Sequence, residues 1–272
     1  MGRKFILSTI LIFTAISMLA PFLIMVMVSL SSDNQLSFTD MSGIVQHLTL
    51  SYYSHVTNTI PVGKYFWNSI IVSLFTTAGQ IIVSTLAGYA FARISFKGRN
   101  IIFFIILITM FIPPQVNIIP LFFLMREFHL IDTYPALILP GIFGGFGVFM
   151  MRQHFLSFPK ELEEASIIDG CNKLQMFYKI VCPLALPAIA TLSIFTFISS
   201  WNSFIWPLIV TNSEAMRTLP LGLAVFKSSY REVIEWGDLL ACSVICTFPA
   251  IIVFLLGKKY IINDMMKGGV KG

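Results

Sequence analysis

The chain is 272 residues long, 56% hydrophobic and 14% aromatic, with 11% of its residues charged and a formal net charge of +5. A soluble domain carries about 25% charged residues, so the apolar excess must face lipid. That excludes a water-soluble enzyme and also a nucleic-acid-binding domain, which needs a solvated basic face.

Six uncharged apolar runs follow one another along the chain: Phe5 to Leu30, Tyr65 to Ala92, Ile101 to Met125, Tyr134 to Met151, Leu184 to Asn212 and Leu239 to Gly257. A helix needs roughly 20 apolar residues to cross a bilayer. A lone apolar segment can satisfy its backbone in lipid only as a helix, and the alternation of a barrel strand is absent. The runs predict an all-α polytopic integral membrane helical bundle of about six transmembrane helices, a single transmembrane domain over residues 1–272.

The first run begins with Met1-Gly-Arg-Lys4 like a secretory signal, but it stays apolar for its whole length and lacks a small-residue cleavage site, so it is read as a retained first helix. The outer segment after it, Ser31 to Lys64, is polar and too short for a domain with its own core.

Orientation follows from the basic residues between the runs. One set of segments holds Arg3, Lys4, Arg93, Lys97, Arg99, Arg152, Lys160, Lys173, Lys179, Lys258, Lys259, Lys267 and Lys271; the other holds only Lys64, Arg126, Arg217, Lys227 and Arg231. The rule places both termini and the 153–183 loop in the cytoplasm.

None of the six runs contains Asp, Glu, Lys, Arg or His. Transporters driven by ion gradients carry ionisable groups at membrane depth. A chain without them that moves solute must take energy from a partner or act as a passive pore. No Gly-rich phosphate loop ending in Lys-Ser or Lys-Thr is present, so the chain binds no nucleotide in the usual ATPase way. The four histidines are scattered, and Cys242 and Cys246 read as small buried hydrophobes rather than metal ligands. No catalytic, cofactor or metal site is expected.

Glycines of the fourth run, Gly141, Gly144, Gly145 and Gly147, suit close helix packing within the chain. After that run comes a polar insert. Pro159 suits a first helical position, and Glu161, Glu163 and Glu164 place negative charge where the helix dipole favours it. Gly170 permits the left-handed turn that ends a helix. The expected helix is about ten residues and 15 Å long. A second helix starts at the cap Asn172, with Leu174, Phe177, Tyr178 and Val181 on one apolar face. Pro183 and Pro187 close it and bend the entry to the fifth run. The pair makes an exposed cytoplasmic knob.

The run Glu164-Ala165-Ser166, three residues, Gly170, nine residues, Ile180, one residue, Cys182-Pro183 resembles the EAA loop of bacterial ABC importer permeases, with Ser166 in place of Ala and Cys182 in place of Leu. Further landmarks are similar to the carbohydrate-uptake branch, specifically the second permease of maltose-type and glycerol-phosphate-type importers. They are Asn68-Ser69, Ala87 to Arg93 with Phe96 to Arg99, Ile112 to Gln115, Ile119 to Leu121, Ile131 to Thr133, Trp201-Asn202 and Gly268 to Gly272.

The resemblance implies the type I importer permease fold and a particular assembly. A second homologous permease forms a heterodimer with this chain, two ABC ATPase subunits carry ATP and Mg, and an extracytoplasmic solute-binding protein delivers a sugar, oligosaccharide, polyol or glycerol-phosphate solute at the bacterial cell (inner) membrane. In it Glu164, Ala165, Ser166, Asp169 and Gly170 couple to the ATPase, and the tail Gly268, Gly269, Val270, Lys271 and Gly272 reaches the ATPase interface. Trp201, Asn202, Ser203 and Trp206, an aromatic and amide cluster suited to sugar faces and hydroxyls, form a candidate translocation path. The outer segment Ser213 to Trp236, with Arg217, Lys227 and Arg231 beside Glu214, Glu232 and Glu235, suits the binding protein. The competing reading is a self-sufficient membrane pore or membrane-embedded enzyme, which needs polar groups converging at depth.

Overall fold

The computed structural model describes residues 2–31, 48–159, 161–168, 170–229 and 236–269. Among them the chain is helical, with no strand beyond one isolated bridge between Ser31 and Leu48. The helices are α1 (Gly2–Ser29), α2 (Ser51–Thr59), α3 (Val62–Arg93), α4 (Arg99–Thr109), α5 (Ile118–Glu127), α6 (Tyr134–Ile142), α7 (Gly145–Leu156) and α8 (Glu161–Ile168). They continue with α9 (Lys173–Leu184), α10 (Leu186–Trp201), α11 (Ile205–Val210), α12 (Leu219–Ser229) and α13 (Trp236–Gly269).

Three segments are long and apolar enough to cross a membrane alone: Lys4–Ser29, Val62–Arg93 and Trp236–Tyr260. Three bent pairs meet the same measure jointly: α4 with Pro114–Glu127 at 96°, α6 with α7 at 40°, and α9 with α10 at 73°. Counting each pair as one span gives six. The third and fourth runs are each broken within their length, and the bend between α9 and α10 falls where Pro183 and Pro187 stand. Pro113 and Pro114 stop α4 from continuing, because proline has no N–H and forces its predecessor out of the helical region. Extended Phe143 and Gly144, after Pro140, separate α6 from α7. Hydropathy alone does not register such breaks.

The chain forms two compact units. In the unit of residues 1–66 and 219–249, α2 packs by Tyr52 and Val56, Tyr65 covers Gly222, and Ser29 Oγ lies 2.8 Å from Tyr53 Oη. His55 Nδ1 pairs at 2.9 Å with Asp238, a carboxylate only 1% exposed. The segment expected as a polar outer loop contains α12, whose Leu219, Leu221 and Leu223 are buried. Arg231, Glu232 and Glu235 lie outside the described residues.

In the unit of residues 67–218 and 250–272, α3 and α7 approach closely. A Cβ on Gly88 would meet Met151 Cβ at 2.6 Å and the Arg152 backbone N at 2.9 Å. Gly141, Gly144 and Gly147 face Thr76, Gln80 and Ser84 of α3, while Gly145 faces Met110 and the Ile106 carbonyl. The fourth-run glycines thus serve packing within the chain. A core of Tyr89, Met151, Phe155, Met176, Phe177 and Leu192 joins α3, α7, α9 and α10.

Candidate functional site

The knob is built first by local chemistry. Three acidic residues occupy the first turn of α8, where the dipole stabilises them. At its other end Gly170 adopts φ +78°, the Gly170 N–H donates to the Ile167 carbonyl at 3.0 Å, and the Cys171 N–H donates to the Ser166 carbonyl at 3.0 Å. These two bonds are the Schellman pair. Two residues later Asn172 and Gln175 form a capping box, the Gln175 amide donating to Asn172 Oδ1 at 2.8 Å and the Asn172 amide to Gln175 Oε1 at 3.1 Å. One helix is therefore stopped and the next started within four residues.

Long-range contacts then fix the knob to the bundle. Arg93, the last residue of α3, donates from Nε and Nη2 to the Phe155 carbonyl at 3.1 and 2.7 Å, and from Nη2 to the Phe158 carbonyl at 2.5 Å. Its Nε also lies 3.1 Å from Glu163 Oε1, the side chains being 8% and 25% exposed. The guanidinium thus caps carbonyls left over at the end of α7 and holds α8 by a charge-assisted contact. In the sequence Arg93 stands only as a topology signal and as the end of the Ala87 to Arg93 landmark.

The residues expected to couple divide into two faces. Glu164 and Ala165 are exposed, as are Leu162, Ile167 and Ile168, the last at 85%. Ser166 is buried, and its Oγ donates to the Glu163 carbonyl at 2.7 Å. It packs the knob inward instead of presenting a surface. Asp169 lies outside the described residues. On α9 the apolar face is Met176, Phe177 and Val181, all buried, whereas Leu174 and Tyr178 are about 60% exposed. The shift has a cause: a wide turn over Phe177–Val181, where the Cys182 N–H donates to the Phe177 carbonyl five residues back, rotates the positions away from regular α spacing.

A cavity of about 1100 Å³ lies in the same unit. Val72, Thr76 and Gln80 of α3 form one wall, and the others come from the breaks at 110–117 and 143–146 and from 196–207. Broken helices leave backbone groups that lipid cannot satisfy, so such breaks are tolerated at membrane depth where they line a cavity. Asn202, Ser203 and Trp206 line it; Trp206 Nε1 donates to the Ala136 carbonyl at 2.9 Å, which fixes the indole. Trp201 does not. It is 1% exposed and stacks on Phe197 with centroids 5.9 Å apart. Thr76 and Gln80, interleaved with small and apolar residues in the second run, were not singled out by sequence pattern.

Two landmark residues hold another part of this unit. Asn68 Nδ2 donates to the Ala215 and Arg217 carbonyls, each at 2.8 Å, and its Oδ1 accepts from Tyr134 Oη at 2.6 Å. Asp132, at φ +63°, accepts from the amides of Asn212 at 2.9 Å and Ser213 at 3.1 Å. Burial pushes its carboxyl up, but hydrogen bonds from Ser213 and Asn212 outweigh that and leave it below the ordinary value. A depressed native pKa gives stability that is present above the unfolded value, about 3.9, and lost as pH falls through the native one. Asp132→Asn should therefore melt below wild type at pH 7, by no more than about 1 kcal/mol for a half-exposed group. Paired thermal melts in detergent should show the difference closing below about pH 4.

A bundle of paired and broken apolar helices with a helical knob and a cavity whose largely apolar lining carries hydroxyls and amides is a multi-pass membrane permease. The family model of the binding-protein-dependent transport system inner membrane component matches residues 80–267, and the chain belongs to that family. It is 43% identical over 209 residues to the arabinooligosaccharides transport system permease protein AraQ of Bacillus subtilis, covering 77% of this chain and 74% of that protein. It is 37% identical over 263 residues to AraQ of Halalkalibacterium halodurans, covering 96% and 94%. The trehalose/maltose transport system permease protein MalG of Thermococcus litoralis is 34% identical, with 96% and 94% covered. Among solved structures, a chain of a bacterial ABC transporter involved in import of the acidic polysaccharide alginate matches with a TM-score of 0.78 at 26% identity, covering 95% of this chain and 96% of that one.

Proposed function

We propose that this chain carries a sugar, oligosaccharide or related polyol solute across a bacterial cell membrane as one of two permeases of an ATP-driven importer. Its partners are a second homologous permease, two ATPase subunits that hold ATP and Mg, an extracytoplasmic solute-binding protein, and lipid against α1, whose apolar side chains are exposed. The termini and the knob face the cytoplasm, by the bias of Lys and Arg between the runs. The observation that carries the reading is one helix serving two sites: α3 lines the cavity with Thr76 and Gln80, and its last residue, Arg93, grips the knob. Movement of α8 in an ATPase cleft is thereby transmitted to the cavity wall. Glu164 and Ala165, with the apolar Ile167 and Ile168, form the face offered to the ATPase.

The test is purification of the tagged chain from its native membrane under mild conditions. Co-purification of one further permease and two copies of a soluble ATPase is expected; recovery of the chain alone would overturn the assignment. The tail is proposed to touch the ATPase pair. Gly268 and Gly269 fall in the last turn of α13, and Val270, Lys271 and Gly272 lie outside the described residues. Deleting Gly268 to Gly272 should lower solute-stimulated ATP hydrolysis several-fold in the purified complex, and unchanged hydrolysis would remove the tail from the mechanism.

A further inference from the structure

Residues 94–98 join the span of α3 to the start of α4, so they lie at a membrane surface. Lys97 and Arg99 stand in and beside this turn, and the end of α7 adds Arg152. Arg152 Nε donates to the Phe91 carbonyl at 3.2 Å, and its guanidinium carbon lies 4.1 Å from the centre of the Phe103 ring. Phe91 packs on both Phe96 and Phe103, with ring centres 5.7 Å apart in each pair. Arg99 Nη1 reaches the Ile94 carbonyl at 3.5 Å. Both arginines are half-buried, and they are close enough for their charges to repel.

Holding two half-buried cations together costs free energy that an anion between them recovers. Arg93, at the end of α3, has such an anion in Glu163. Among the described residues no carboxylate lies within ion-pair distance of Lys97, Arg99 or Arg152, and the sequence holds no Asp or Glu between Asp40 and Glu127. A guanidinium carries five N–H donors, and the bonds named above engage one on each arginine.

The surroundings select the kind of anion. A pocket of about 370 Å³ opens at the turn, lined by Ser95, Phe96, Gly98, Arg99, Asn100 and Ile101. From Ile101 an apolar stripe runs along α4 through Phe104, Ile105 and Ile108, at the i, i+3, i+4 and i+7 positions of one helix face, and all four side chains are exposed. α4 has 11 residues, so at 1.5 Å per residue it is about 16 Å long. Half of a hydrocarbon core of roughly 30 Å is about the same length. α4 therefore crosses one leaflet, from the cationic turn to the break before Pro113. A molecule with a phosphate at one end and an acyl chain of one leaflet's depth fits the whole surface. A soluble phosphate or carboxylate would satisfy the arginines and leave the stripe bare.

We propose that Arg99 and Arg152 together hold the phosphate of an anionic phospholipid whose acyl chain lies along Ile101, Phe104, Ile105 and Ile108. The guanidinium fork suits a phosphate, which it can grip through two parallel bonds. The headgroup bridges the α3–α4 turn to the end of α7. That end carries the Phe155 and Phe158 carbonyls that Arg93 caps, so the lipid braces the base of the knob.

The chain is purified from its native membrane with the subunits that accompany it and exchanged into detergent containing equal amounts of phosphatidylglycerol and phosphatidylcholine. Native mass spectrometry then counts the lipids retained. Arg99→Gln combined with Arg152→Gln should remove one phosphatidylglycerol relative to wild type and leave the phosphatidylcholine count unchanged. Arg99→Gln alone, which keeps the contacts of Arg152 with Phe91 and Phe103, should raise the phosphatidylglycerol concentration for half-occupancy at least fivefold. Arg126→Gln removes the same charge from another segment and should match wild type. Equal phosphatidylglycerol counts in wild type and the double variant, or equal loss of both lipids, would overturn the site. Displacement of the lipid by excess inorganic phosphate would overturn the lipid and leave a plain anion site. A photoreactive side chain placed at Ile101 should cross-link to lipid; cross-linking to another polypeptide would mean that a subunit covers this face, and would overturn the proposal as well.

Discussion

Arg93→Met is expected to abolish coupled transport while leaving the bundle folded. The substitution keeps most of the apolar stem but removes the guanidinium donors to the Phe155 and Phe158 carbonyls and the cation beside Glu163. Hydrogen bonds to a charged group contribute about 1.5–3 kcal/mol each, and breaking a largely buried pair costs about 3–5 kcal/mol. A loss of even 3 kcal/mol from the docked knob reduces its correctly held population about a hundredfold relative to alternatives. Solute uptake in cells should fall at least tenfold, with the protein still present in the membrane at near-normal amounts. Glu163→Gln supplies the contrast. It removes only the ionic part and leaves the carbonyl bonds, so its effect should be several-fold smaller. Arg93→Lys should fall between, since a single ammonium cannot present the guanidinium fork. Equal defects for Arg93→Met and Glu163→Gln would mean that the ion pair alone holds the knob and that the carbonyl contacts are incidental.

What could be read from the sequence divides along the range of the interactions. Gly170, Asn172 and the acidic first turn of α8 act over three or four residues, so residue type and spacing are enough to place the turn, the cap and the dipole. Span positions are equally legible, because lipid imposes length and apolarity. The grip of Arg93 depends on contacts across the chain, with Phe155 62 residues away and Phe158 65 residues away, and no local pattern encodes it; nor does one encode the burial of Ser166 and Trp201. Breaks are an intermediate case. Pro113 and Pro114 are visible punctuation, yet the run around them is as apolar as its neighbours, and only the folded chain reveals that the break lines a cavity. α12 was hidden for the opposite reason, its buried leucines lying in a short stretch bounded by charged segments.

Substitution at Gly170 should separate backbone strain from charge. Nothing lies within 4 Å of a Cβ built on Gly170, so added volume is harmless and the cost of a side chain comes from φ +78°. That cost is about 1–2 kcal/mol for an ordinary residue, more for a β-branched one and less for Asn or Asp, which enter the left-handed region more readily. Gly170→Asn should therefore retain most uptake. Gly170→Val should open the Schellman turn, detach the direction of α8 from the capped start of α9, and lower uptake at least tenfold. Gly170→Asp adds a second effect, a negative charge at the C-terminal end of α8 where the dipole opposes it, on a helix that already carries Glu161, Glu163 and Glu164. It should uncouple strongly, with ATP hydrolysis by the complex persisting while uptake is lost. If Gly170→Asn and Gly170→Asp are equally impaired, the turn itself is the sensitive element. Normal uptake by both Gly170→Asp and Gly170→Val would remove α8 from the coupling path altogether.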